Sequence, residues 1–210
     1  MNIAIVGAGN VGGALARSWI ARGHAVCFGA RDPNKAEIQA LVKSLGARAS
    51  ARDSAEAVKS AEIVVLATPW PATQAAIQAC GSLAGKTVVD CTNPLLPQLA
   101  GLEIGTTTSG GEQVAQWARG ASVFKAFNQT GAENMSGTTS YPQKLVMFVA
   151  GDDAQRKPAV LQLARDAGFD AVDAGPLSAA RLLEPLAMLW ISLAYRQGLG
   201  REFGFALVRR

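Results

Sequence analysis

An α/β fold, built on a doubly wound and mostly parallel sheet with a short helical C-terminal extension, follows from three observations on the sequence. Short apolar runs alternate with segments of helical spacing or helix-forming composition, a glycine-rich turn follows the first run directly, and nothing divides the 210 residues. Hydrophobic residues make up 49% of the chain and charged ones 17%, with no Ser/Gly/Pro-rich linker and no internal repeat, so residues 1–210 are expected to share one core.

Residues 3–6 (Ile-Ala-Ile-Val) read as the first strand, and Gly7-Ala8-Gly9-Asn10-Val11-Gly12 as the turn that opens a helix over 11–20. Gly7 permits the tight turn, Gly9 lets the backbone approach a pyrophosphate, and Gly12 lets helix and strand pack closely. The helix N-terminus then faces the phosphate charge. Strand, loop and helix in this order define a Rossmann-type dinucleotide site, with Gly7, Gly9, Asn10, Val11 and Gly12 at the cofactor. The only histidine, His24, falls in the following turn, at the end of the sheet away from the ligand, where a solvated loop residue is expected.

The next strand, 26–28, runs into Gly29-Ala30-Arg31-Asp32. An acidic residue here would bind the adenosine ribose of NAD, whereas Arg31 offers a planar fork to a 2′-phosphate and Lys35 a second cation. Asp32-Pro33 matches a helix cap followed by proline at the first helical position. The balance favours NADP(H), since a charge-assisted bond from Arg31 is worth about 1.5–3 kcal/mol.

Further strands are expected over 63–67 and 87–89, then, after the rhythm loosens beyond Pro97, over 123–127 and 145–150. A helix over 153–167 and a strand over 170–173 follow. Residues 1–150 therefore form the nucleotide-binding core and 151–210 an extension. Its last helix begins near Ser178 as a cap and places Leu182, Leu186, Leu189 and Leu193 on one face, with Met188, Trp190 and Ile191 on the others. Pro185 should kink or divide it. A helix apolar almost all round needs burial, and a homodimer contact would supply part of it. The uncharged stretch 185–195 is about half the roughly 20 residues of a membrane span.

The net charge of +4 is scattered and aromatics are only 6%, so no nucleic-acid-binding stripe forms and a small phosphorylated ligand fits better. Cys27, Cys80 and Cys91 lack metal-ligand spacing; no metal is expected, and buried reduced thiols point to the cytoplasm. The apolar start has no basic leader and is not read as a signal peptide. Carbonyl chemistry usually needs an acid or base. Tyr141 and Lys144 are one residue too close for the short-chain dehydrogenase pair, and Pro142 opposes the helix that pair occupies. A large, flat redox partner that accepts hydride without acid–base help suits such a site.

Several ordered motifs together resemble the coenzyme F-420-dependent NADP oxidoreductase family over nearly the whole chain. They are the nucleotide loop, Ala30-Arg31-Asp32, Thr68-Pro69-Trp70, Asn93-Pro94-Leu95, Lys125-Ala126-Phe127-Asn128, Gly151-Asp152-Asp153, and Asp173-Ala174-Gly175-Pro176-Leu177-Ser178 with Arg181 and Glu184 beyond. The resemblance implies hydride transfer between NADPH and an 8-hydroxy-5-deazaflavin. It places Ala30, Arg31 and Lys35 at the 2′-phosphate, although Ala30 lacks the hydroxyl common at that position. Thr68, Pro69, Trp70 and Asn93 would border the nicotinamide, with packing an equal role for Trp70 and turn formation one for Asn93. Phe127 would serve as wall, and Asn128 as amide hydrogen-bonder, beside the second substrate. Arg181 and Glu184 read as a structural ion pair. The resemblance extends to the cytosolic domain of transmembrane ferric reductases, which implies FAD or FMN as alternative acceptors. An imine or carbonyl reductase with a small substrate enclosed in a dimer, and a non-catalytic NADP-responsive protein, are the other readings.

Overall fold

In a computed structural model, which describes residues 1–136 and 141–210, eight strands form one sheet in the order β3-β2-β1-β4-β5-β6-β7-β8. They are β1 (Asn2–Val6), β2 (Ala25–Gly29), β3 (Ala49–Arg52), β4 (Ile63–Leu66), β5 (Thr87–Asp90), β6 (Ser122–Lys125), β7 (Val146–Gly151) and β8 (Asp170–Asp173). Every pairing is parallel except β6 with β7. The helices are α1 (Asn10–Ala21), α2 (Ala36–Leu45), α3 (Ser54–Lys59), α4 (Trp70–Ala79), α5 (Gly110–Trp117), α6 (Lys157–Asp166) and α7 (Ala180–Ile191).

Because successive strand residues face opposite sides, β1 feeds two cores. Ile3 and Ile5 join Trp19, Phe28 and Leu163 on one side of the sheet, while Ala4 and Val6 join Val64, Leu66 and Val88 on the other. Burial on both faces explains why the central strands read as unbroken apolar runs. The edge strand β3 (Ala-Ser-Ala-Arg) has no such run and escapes notice in the sequence.

Several expectations are corrected. β6 stops at Lys125, since Phe127 takes a positive φ of 59° and turns the chain away. α6 begins at Lys157 because Asp153 first caps a turn, accepting from the amides of Gln155 and Arg156. Ser178 caps nothing; it lies in a 3-10 turn, Leu177–Ala179, that leads into α7. Pro185 does not divide α7, which buried Leu183, Glu184, Ala187 and Trp190 hold on both sides of it. Asp32 accepts from the amide of Asn34, making a tight turn instead of capping α2, whose N-cap is Lys35. His24 is buried, its Nε2 2.9 Å from Asp166 Oδ2, so it ties β2 to α6 and is not a solvated loop residue.

The C-terminal extension folds back on the core. After a π-helical turn, Ser192–Arg196, the chain returns so that Phe203 stacks on Trp190 at 5.2 Å and accepts a hydrogen bond from the indole. The carbonyl of Phe205 accepts from the amide of Val146 on β7. The helical stretch Leu177–Arg196, 20 residues with mean hydropathy 1.3, is long and apolar enough to cross a membrane by length and composition. Here one side of it is core, with Ala180, Leu183, Glu184, Ala187 and Trp190 buried. The leucine face is not covered as expected: Leu182 is 73% and Leu189 50% exposed.

Candidate dinucleotide site

The loop after β1 carries three glycines with different physical reasons. Gly7 has φ +110°, and a Cβ there would lie 2.5 Å from the carbonyl oxygen of Ala67; at Gly12 it would lie 2.1 Å from that of Gly7. Both are dictated by the fold. A Cβ on Gly9 would meet nothing within 4 Å, so the chain itself does not require its absence. Gly9 is the N-cap of α1, no side chain caps that end, and no acidic residue occupies the first turn. The leading amides, with Asn10 exposed and Val11 half-buried, stay open to an anion.

Beside this loop lies a cavity of about 280 Å³, bounded by Gly7, Ala8, Ala30, Arg31, Thr68 and Pro69. Its far wall is Ala72, Ala75, Ala76 and Ala79 of α4, a smooth face with room for a flat ring. Arg31 is exposed at its rim and Ser54 completes the lining. Lys35 stands off at the start of α2, where it pairs loosely with Glu37 at 3.6 Å. Thr68 is held through its hydroxyl by Thr73 at 2.9 Å. These residues fit a dinucleotide: an open glycine, uncapped amides, an apolar slot and a rim arginine.

Trp70 turns away from the cavity, packs on Trp117 at 5.2 Å and donates to Glu103, so its packing role is the one realised here. Phe127 is not a wall: at 1% exposure its ring packs against Trp19 and Phe169, because its positive φ points the side chain inward. Asn128 is buried too. Its Nδ2 donates to Asn93 Oδ1 at 3.0 Å and to the carbonyl of Leu183 at 3.2 Å, while Asn93 Nδ2 donates back to the Asn128 carbonyl at 2.9 Å. Asn93 is left half-buried, at the end of the β5 turn.

Below this amide clasp lies a charged cluster that sequence reasoning missed. Lys125, with 0% side-chain exposure, donates to Asp90 Oδ2 at 2.8 Å and to the Thr92 carbonyl at 2.6 Å, and lies 2.7 Å from Glu184 Oε1. Burial works against its charge, but Asp90 and Glu184 outweigh that and hold its pKa above the ordinary lysine value. Glu184 also accepts from the amides of Gly110 and Gly111, so the excess negative charge faces the α5 N-terminus. The expected Arg181–Glu184 pair does not form; Arg181 grips Glu112 through two hydrogen bonds, at 2.9 and 2.6 Å. The available signal was three charged residues each isolated in an apolar run, Asp90 after Thr-Val-Val, Lys125 after Val-Phe, and Glu184 inside α7, because such groups are buried only when paired.

The remaining titratable groups of note are inert. Burial pushes the Cys80 thiol up to about 11 and that of Cys91 well above its ordinary value, and all three cysteines are free. Among the described residues no cluster of His, Cys, Asp or Glu could hold a metal ion.

A glycine loop at the head of the first βαβ unit, with ligand-binding features at the carboxyl ends of the strands, defines a dinucleotide-binding protein of the Rossmann class. Residues 2–94 match the model of the family described as NADP oxidoreductase, coenzyme F420-dependent. A structure from Arthrobacter sp. FB24, provisionally assigned as an F420-dependent NADP-reductase, is 32% identical, with 100% of both chains covered and a TM-score of 0.89. The chain belongs to this F420-dependent NADP oxidoreductase family. The metalloreductase STEAP3 of Rattus norvegicus is 29% identical over 189 residues, 89% of this chain and 37% of that protein, so the chain spans little more than a third of that relative. A reductive aminase from Aspergillus terreus in complex with NADPH and ethyl levulinate shares the fold, with 21% identity, 94% of this chain and 62% of that one covered, and a TM-score of 0.68.

Proposed function

We propose that this NADP-dependent oxidoreductase passes hydride directly between NADPH and a deazaflavin of the F-420 type or a flavin such as FAD or FMN. The carrying observation is the composition of the crevice. Glycines, alanines, Pro69, Ser54, Thr68 and the rim guanidinium of Arg31 line it, with no carboxylate, imidazole or amine among the described lining residues, while Lys125 is sealed and committed to two carboxylates. Such a surface can bind and orient, and needs no proton relay when the acceptor ring takes the hydride and draws its proton from solvent.

In this reading Gly7, Gly9, Asn10, Val11 and Gly12 hold the pyrophosphate, and Arg31, with Lys35 behind it, takes the 2′-phosphate. The alanine face of α4 takes the adenine, and Thr68, Pro69 and Asn93 border the nicotinamide. Bound NADPH supplies the transferable hydride; the protein supplies position and exclusion of water. The 151–210 extension helps complete the second-substrate side. Its leucine face, with Leu182 and Leu189 exposed and Leu186 and Leu193 half-buried, is assigned to a second copy of the chain, and the reduced thiols fit a cytoplasmic enzyme.

The test is NADPH oxidation by the purified protein with F-420, FAD, FMN and small cyclic imines supplied separately. Oxidation that depends on a deazaflavin or flavin supports the proposal. Turnover with imines alone would replace it with imine reduction, and tight NADPH binding with no turnover on any acceptor would replace it with a binding role.

A further inference from the structure

The Asp90–Lys125–Glu184 cluster lies outside the crevice, and its hydrogen bonds lead to Thr92 and Asn93, just past the carboxyl end of β5, the end of the sheet at which this fold binds its ligands. Lys125 spends all three N–H donors, on Asp90, on Glu184 and on the carbonyl of Thr92. Asp90 Oδ1 in turn accepts from both the amide and the hydroxyl of Thr92, at 2.9 and 2.7 Å. Thr92 is thus gripped at three points, and the next residue is Asn93.

Asn93 has one amide hydrogen and one lone pair engaged by Asn128, which among the described residues leaves one donor and one acceptor unused on a half-buried side chain. That remainder complements a primary carboxamide, itself a donor beside an acceptor. Asn128 has both amide hydrogens spent and is 5% exposed, so it supports Asn93 and does not itself face a ligand.

We propose that Lys125 is a positioning residue: anchored between Asp90 and Glu184, it holds the Thr92 carbonyl while Asp90 holds the Thr92 amide and hydroxyl, and so fixes the turn that presents the Asn93 amide to the carboxamide of the nicotinamide. The inference rests on the assignment of NADP(H) to this crevice, and not on which acceptor is reduced. α7 takes part through Glu184 and the Leu183 carbonyl, so the C-terminal helix shapes the cofactor site without touching the cofactor.

The test compares wild type, Lys125→Met and Thr92→Val for binding of NADPH and of 2′-phospho-ADP-ribose, which lacks the nicotinamide ring, by calorimetry and by the fluorescence of bound NADPH. Thr92→Val keeps the charged cluster whole and removes one hydrogen bond, so it serves if Lys125→Met does not fold. The expected result is NADPH binding weakened about three- to tenfold in Thr92→Val, and at least as much in Lys125→Met, with altered nicotinamide emission and unchanged affinity for 2′-phospho-ADP-ribose. Adding Thr92→Val to Asn93→Ala should cost nothing further, because both act through one contact. Equal weakening of both ligands, additive losses, or Thr92→Val behaving as wild type would overturn the proposal. If these results hold while no flavin or deazaflavin is reduced, the positioning role stands and the hydride-acceptor assignment alone falls.

Discussion

The Glu184 carboxylate on α7 lies 2.7 Å from the Lys125 ammonium at the end of β6, with both side chains sealed from water. Removing one partner of such a pair leaves an uncompensated buried charge, which costs about 3–5 kcal/mol. Glu184→Leu should therefore lower the urea midpoint by much of the fold's stability, whereas Arg181→Ala, at a partly exposed ion pair, should cost little. Equal losses would show that the buried pair is not special.

The same pair sets an alkaline limit. The folded-state pKa of Lys125 is raised above 10.5, so its stabilisation is complete below that pH and is lost as pH rises through the folded value. Urea midpoints measured in pH steps should stay level through the mildly alkaline range and fall only beyond it. A decline that starts near neutrality would need another cause.

Arg31→Ala should weaken NADPH binding about ten- to a hundredfold, in line with the loss of a charge-assisted bond, and leave NADH binding nearly unchanged. Calorimetry with both nucleotides decides it. Equal weakening of the two would show that the rim guanidinium does not read the 2′-phosphate.

Gly9 and Gly12 should fail in opposite ways. A side chain at Gly9 meets open space, so Gly9→Val should cost only about 1 kcal/mol, the loss of a favourable N-cap, yet lose NADPH affinity. Gly12→Val drives its Cβ into the carbonyl of Gly7 and should destabilise the fold itself. Thermal melts with and without NADPH separate the two effects.

Leu182→Asp with Leu189→Asp should convert a dimer into a folded monomer, read by light scattering at micromolar concentration. A monomeric wild type would remove the second copy as the partner of this face.

The sheet was legible because its central strands are buried on both sides and their apolar runs depend on little else. The nucleotide loop was equally plain, since Gly7 answers to its own positive φ and Gly12 to a carbonyl five residues before it. Phe127 was misjudged because one positive φ just past β6 reverses the side chain, and composition carries no trace of that. The pairing of Lys125 with Glu184, 59 positions apart, depends on how α7 docks, so sequence could offer three stranded charges but not their meeting. The choice of Glu112 over Glu184 by Arg181 depends on the same docking.

Cys91 directly follows Asp90, and its thiol is buried and held protonated, so an alkylating reagent can reach it only when the floor beneath the crevice opens. Cys80, also buried, lies just past α4 and reports on another region, while half-buried Cys27 supplies an internal control. The native molecule thus carries its own site-resolved gauge of breathing, readable by mass spectrometry with no engineered label.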